Sequence, residues 1–215
     1  MTARRDRYQA EGAEAEFEPG SRGRVMRNLR GIRSMRAMAR AESEALLDAT
    51  NRVINQTHID QRFKTADICR MHRLWLGNLY AWAGEYRQVN MVKDGFPFAA
   101  ANQVPSQMQL FERGPSREFT PCRFAGIDDQ AMAMGIVHAE LILIHPFREG
   151  NGRCARLLAV LMGLQAGLPL LDFSDIQGEI KRQYIGAIHA AMGRNYSPIA
   201  AVFRAVIART LRLQR

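Results

Sequence analysis

One stretch of the 215-residue chain gathers side chains able to act together: His145-Pro146-Phe147-Arg148-Glu149-Gly150-Asn151-Gly152-Arg153-Cys154-Ala155-Arg156. It lies between two apolar runs, LILI and LLAVLMGL. Pro146 ends the preceding helix. Gly150 and Gly152 allow a tight turn whose N–H groups are exposed where the next helix starts, which makes an anion site. Arg153 and Arg156, three apart on that helix, put two guanidiniums on one face, an arrangement that suits a polyphosphate better than a monophosphate. A carboxylate beside phosphates is unfavourable unless a divalent cation lies between them. Glu149 therefore implies Mg²⁺, which takes one or two carboxylates together with substrate oxygens. His145 is the one side chain of the loop able to take a proton at neutral pH, and a hydroxyl is the natural donor. Singly, each residue has a plainer use: a histidine caps a helix, EGNG makes a turn, spaced arginines are solvated. Their coincidence in one loop is what points to chemistry.

The stretch resembles the signature of Fic-domain (Fido-fold) proteins, HxFx(D/E)GNGRxxR, at every fixed position. Eight fixed positions give a chance match on the order of one in 10⁸. The similarity extends through RVMRNLRGI and LYAWAGEYR to cover roughly residues 20 to 205. The resemblance implies an all-α core with a small β-hairpin flap, a motif loop that binds Mg-ATP, and transfer of AMP to a Ser, Thr or Tyr hydroxyl with release of pyrophosphate. On that pattern His145 is the base, Phe147 anchors the loop, and Glu149 holds Mg²⁺. Gly150, Asn151 and Gly152 cradle the α- and β-phosphates, with Asn151 adding its side-chain amide, while Arg153 contacts the β-phosphate region and Arg156 the γ-phosphate.

The hairpin at 87–99 occupies the place of the flap that docks a target segment by strand addition. Lys93 or Asp94 near its tip could touch nucleotide or target, or simply form the turn. Tyr184 stands where an adenine-packing aromatic could lie, with a core tyrosine as the plainer reading. His138, seven residues before His145, is expected to pack against the loop. Other activities on the same fold are a kinase that binds ATP in reverse and a transferase for another nucleotide or phosphocholine. Gly152 followed by Arg153 argues against the kinase subtype, which carries lysine in place of that glycine. A non-catalytic basic binding module has no need for His145 and Glu149 in one loop.

Family members are typically restrained by a glutamate from an (S/T)xxxE(G/N) helix that pairs with the second motif arginine. No Ser or Thr here is followed four residues later by Glu. The expectation is a separate small antitoxin whose glutamate caps Arg156, making this chain the toxin of a pair. A secreted or unregulated effector is the other reading.

The elements that must position the loop follow from periodicity. SMRAMARAESEALLDATNRVIN predicts an amphipathic helix over 34–55, and Thr65 opens a second whose stripe is Ile68, Met71, Leu74, Trp75 and Leu79. Val89 and Met91 alternate with polar neighbours, and Asp94-Gly95 is a hairpin-turn dipeptide. Together they predict a flap over 86–99. Further helices are expected over 105–114, 128–144, 151–167, 176–192 and 198–213. Residues 1–24, with Gly12, Pro19, Gly20 and Gly23 among charges, read as an irregular arm before one Fic domain over 25–215.

Composition bounds the rest. An apolar fraction of 47% with 24% charged residues is that of a globular chain. No apolar run approaches the roughly 20 residues of a membrane span, and the N-terminus lacks an export h-region, so a cytoplasmic protein is expected. Three cysteines without CxxC spacing predict free thiols. The net charge of +9 rests on scattered arginines, with lysines only at 64, 93 and 181, a pattern that disfavours direct nucleic-acid binding.

Overall fold

The computed structural model describes residues 9–10 and 16–214. Among these the structure is helical apart from one small antiparallel sheet, as expected of the Fic helical fold. The chain divides into two compact units.

The first unit holds the described residues up to Gln56, then Thr65–Met108 and Ile144–Asn151. It contains α1 (Met35–Gln56), α2 (Thr65–Leu76) and the strands β1 (Gln9–Ala10), β2 (Met91–Lys93) and β3 (Phe96–Pro97), ordered β1-β2-β3. The apolar stripes of α1 and α2 meet through Met38, Ala49, Trp75 and Leu76, with Leu79, Tyr80, Ala83 and Val25 closing the core. The polar edges of these aromatic groups are satisfied inside: Trp75 donates its indole N–H to the Glu42 carbonyl at 2.9 Å, and the Tyr80 hydroxyl donates to the Glu42 carboxylate at 2.8 Å.

Asp94 (φ 50°) and Gly95 (φ 82°) are both left-handed, the geometry a two-residue hairpin turn requires. Lys93 pairs with Phe96 and Val92 with Pro97. The expected irregular arm lies outside the described residues at 1–8 and 11–15. Elsewhere it needs correction. Gln9 and Ala10 pair with Val92 and Met91 as a third strand, and Phe17 bridges Met26 across a turn holding Gly20 and Gly23, with Ser21 buried.

The second unit comprises Thr57–Lys64, Gln109–Leu143 and the described residues from Gly152 onward. α3 (Val104–Phe111) runs into it and continues past the predicted end at Gly114, through a wide turn over Glu112–Ser116, to the single turn α4 (Arg117–Phe119). α5 (Ile127–Ile144) is apolar on nearly every face and mostly buried. Gly135 lets it approach α8 (Ser197–Arg212) closely: a Cβ there would lie 3.2 Å from the Ala200 nitrogen. α6 (Asn151–Gln165) ends in a capping turn in which Leu168 N–H donates to the Gly163 carbonyl and Gly167 adopts φ 76°. α7 (Gly178–Ala191) precedes α8. Cys69, Cys122 and Cys154 are free thiols, and burial pushes that of Cys122 up to about 11. No helix among the described residues is long and apolar enough to cross a membrane.

Candidate active site

In the first unit, α5 stops at Ile144, its last residue, and His145 turns the chain with φ 53°. A β-carbon in that region is strained, and such strain collects at functional positions. Arg87 holds the turn. Its Nε donates to the His145 carbonyl at 2.7 Å, its NH1 to the Val89 carbonyl at 2.6 Å, and its NH2 to the Ile144 carbonyl at 3.3 Å and to that of Ala99. The Arg87 backbone N–H adds a bond to the Pro146 carbonyl at 2.9 Å. One buried guanidinium thus joins both ends of the hairpin to the histidine turn. The His145 ring stacks on Phe98 with centroids 3.7 Å apart and 16° between planes, so hairpin and histidine are in direct contact.

Beyond the histidine, Phe147 is fully buried and stacks on His72 at 3.8 Å. His72 Nδ1 accepts the Gly84 N–H at 2.8 Å, which puts the ring proton on Nε2 and makes that nitrogen the donor to the Glu149 carbonyl at 3.0 Å. Gly150 has φ 84°, and a Cβ there would lie 2.6 Å from the Trp75 ring. Only glycine fits both the angle and the space. Asn151, buried at the start of α6, accepts the Phe147 N–H at 2.8 Å and donates to the Phe147 carbonyl at 2.7 Å. Its amide closes the loop onto Phe147 in both directions. The Glu149 carboxylate accepts the Gly150 N–H at 2.9 Å.

In the second unit, Gly152 opens the first turn of α6, and a Cβ there would meet nothing within 4 Å. Arg153 and Arg156 follow on the same helix, partly exposed. The guanidinium carbon of Arg156 lies 5.8 Å from the Phe173 ring centroid and 5.9 Å from that of Tyr184. Tyr184 shares a 2.8 Å hydrogen bond with His138 Nε2, and His138 packs edge-on against Phe203 at 5.2 Å. His138 thus packs on Tyr184 and Phe203 and also neighbours the backbone of Ala155 and the charge of Arg156 in the motif stretch. Burial pushes its imidazole down to about 4, the Arg156 charge acting in the same direction, and pushes the Tyr184 hydroxyl up to about 12.

Of the residues singled out in the sequence, the first unit brings together His145, Phe147, Glu149, Gly150 and Asn151, with Lys93 at the end of β2 and Asp94 exposed at the hairpin tip. The second carries Gly152, Arg153, Arg156 and Tyr184. Arg87, His72, Phe98 and Phe173 were missed. Two of these left a signal: Arg87 shares the parity of the buried Val89 and Met91, and His72 falls inside the apolar stripe of α2, four residues after Ile68 and three before Trp75.

Residues 62–162 match the model of the Fic/DOC family. The chain is 32% identical over 143 residues to the protein adenylyltransferase VbhT of Bartonella schoenbuchensis, covering 66% of this chain and 30% of that protein. It is 30% identical over 149 residues to the protein adenylyltransferase fic-1 of Caenorhabditis briggsae, covering 67% and 28%. The crystal structure of the BepC effector of Bartonella tribocorum with bound AMPPNP superposes with a TM-score of 0.69 at 22% identity, covering 85% of this chain and 92% of that one. A helical fold with a small flap, and a loop that matches HxFx(D/E)GNGRxxR at each position, define a Fic domain. The chain belongs to the Fic-domain family. It spans about 30% of the length of the curated relatives it matches.

Proposed function

We propose that this protein transfers AMP from Mg-ATP to a Ser, Thr or Tyr hydroxyl of a target protein. The observation that carries the reading is the construction of the His145 turn. A histidine in a strained conformation is clamped by Arg87 and stacked on the flap residue Phe98, which fixes a base beside the element proposed to present the target. The hydroxyl oxygen attacks the α-phosphorus, its proton passes to the His145 ring, and the bond to the β-phosphate oxygen breaks to release pyrophosphate. Transfer of this kind depends chiefly on positioning and charge stabilisation.

The nucleotide is held by the main chain of Gly150, Asn151 and Gly152 where α6 begins, with Arg153 on the β-phosphate region and Arg156 on the γ-phosphate. The bare Cβ position of Gly152 is consistent with a close-lying phosphate. Mg²⁺ would be held by Glu149 and phosphate oxygens. Among the described residues no group of three acidic, histidine or cysteine side chains could hold a metal alone, and a single carboxylate completed by substrate oxygens is how Mg²⁺ is commonly bound. When bound, the cation neutralises charge on the phosphates. The relatives VbhT and fic-1 are named protein adenylyltransferases.

The target docks on the hairpin, and control comes from a separate small antitoxin in the same cytoplasm, whose glutamate competes with the γ-phosphate for Arg156. Two glutamates of α1 that could have served in cis are engaged elsewhere. Glu42 accepts the Tyr80 hydroxyl, and Glu44 pairs with Arg40 at 2.7 Å.

The test is to incubate the protein and a cell lysate with ATP labelled on the α- or the γ-phosphate. Label reaching protein from the α position alone is the expected result. Label arriving from the γ position would identify a kinase, and label from neither would remove ATP as donor. Expression alone is expected to arrest growth, with relief by the neighbouring small reading frame.

A further inference from the structure

The sequence offers Tyr184 two uses, a core tyrosine as the plainer one and an adenine-packing aromatic as the other. We infer that Phe173 and Tyr184 are positioning residues for Arg156, and that His138 locks Tyr184 in place, so that the guanidinium is aligned before the terminal phosphate of ATP arrives. The inference rests on the reading of Arg156 as the γ-phosphate contact.

Three observations carry it. First, Arg156 lies within 6 Å of two aromatic centroids, Phe173 at 5.8 Å and Tyr184 at 5.9 Å, inside the range at which a ring quadrupole attracts a cation. Second, its buried Nε has no hydrogen-bond acceptor among the described residues. An aromatic face stabilises the charge without accepting an N–H, so on this partly exposed residue the N–H groups other than the buried Nε are the ones left for an anion. An acidic partner would have consumed them. Third, Tyr184 is not free to follow a ligand. Its hydroxyl end is buried and bonded to His138, itself buried against Phe203. The chain of contacts runs from a core phenylalanine through a neutral histidine and a tyrosine to the cation.

An unclamped arginine on a helix surface samples many rotamers and loses that freedom on binding. A clamped one has lost it already, which favours the ligand that uses it. The clamp therefore acts on discrimination between ATP and ADP, which differ by the phosphate assigned to Arg156, and leaves the shared part of the nucleotide untouched.

The experiment measures Mg-ATP and Mg-ADP dissociation constants of the full chain by calorimetry. Arg156→Ala sets the reference, with its preference for ATP over ADP largely lost. Phe173→Leu and Tyr184→Leu should each lower that preference several-fold with ADP affinity unchanged. Phe173→Tyr, which keeps an aromatic face, should leave it near wild type, and Tyr184→Phe, which keeps the face and loses the bond to His138, should lower it less than Tyr184→Leu. Adding Tyr184→Leu to Arg156→Ala should cost nothing more. Phe173 is only partly buried, so its variants remain informative if those at Tyr184 fail to fold. A wild-type preference in both leucine variants, with the preference lost in Arg156→Ala, overturns the clamp alone. A preference that survives Arg156→Ala overturns the assignment of Arg156 and the clamp with it.

Discussion

The side chain of Arg87 and the backbone of His145 are joined by a 2.7 Å hydrogen bond from guanidinium to carbonyl. Arg87 is 58 residues earlier in the chain and at the root of the flap, so the bond couples the proposed base to the proposed docking element. Arg87→Lys keeps the charge and loses the fork that reaches carbonyls on both the flap and the turn. It should destabilise the protein by about 2–4 kcal/mol through stranded buried carbonyls and lower AMP transfer more than Mg-ATP affinity. Urea unfolding and single-turnover transfer check both parts. Transfer at the wild-type rate would show that the fork does not set the histidine.

Gly150→Ala tests the loop wall. The angle of 84° and the 2.6 Å approach to Trp75 each oppose a methyl group, and the expected loss of stability is about 2–4 kcal/mol. Relief by the second change Trp75→Leu would confirm the clash. It would also cost the bond from Trp75 to Glu42, so the signature is a coupling between the two changes and not full recovery.

His138 makes stability depend on pH. Its folded imidazole titrates near 4 and an unfolded one near 6.5, so as pH falls the unfolded chain takes up the proton first. The contribution is complete above about pH 6.5 and is lost on descending toward pH 4, amounting to about 3 kcal/mol. Urea midpoints of wild type and His138→Gln, compared at pH 7 and pH 5, should diverge most at pH 7. Parallel pH profiles would contradict the assignment.

The flap prediction concerns the edge of the sheet. Lys93 pairs with Phe96 across the turn, and Phe98 N–H donates to the Met91 carbonyl at 3.1 Å. Val92, between them, therefore turns its N–H and carbonyl toward β1. On the far edge Pro97 has no N–H to give. A target strand docked as proposed would therefore have to compete with Gln9–Ala10 for β2. Gln9→Pro should raise transfer to a lysate target and speed hydrogen exchange at Val92. Faster exchange with unchanged or reduced transfer would speak against docking on β2.

The motif loop, the first two helices and the Asp94-Gly95 turn are legible in the sequence because their chemistry is local: spacing, periodicity and turn dipeptides act over a few residues. Features that depend on partners distant in the chain are not. Tyr184 reads in sequence as a core tyrosine or an adenine-packing aromatic, and only the fold brings His138, 46 residues away, onto its hydroxyl. The pairing of Gln9 with Val92 has no sequence signal at all, since a two-residue strand is too short for alternation to appear.

The central claim is that His145 acts on the incoming hydroxyl and not on the donor nucleotide. The most direct measurement sets His145→Ala beside wild type, with Mg-ATP affinity read by calorimetry and AMP transfer by α-labelled ATP. The account predicts an affinity within about twofold of wild type and transfer reduced by at least about 10²-fold. Transfer near the wild-type rate, or ATP binding lost along with it, would contradict the role assigned to this histidine.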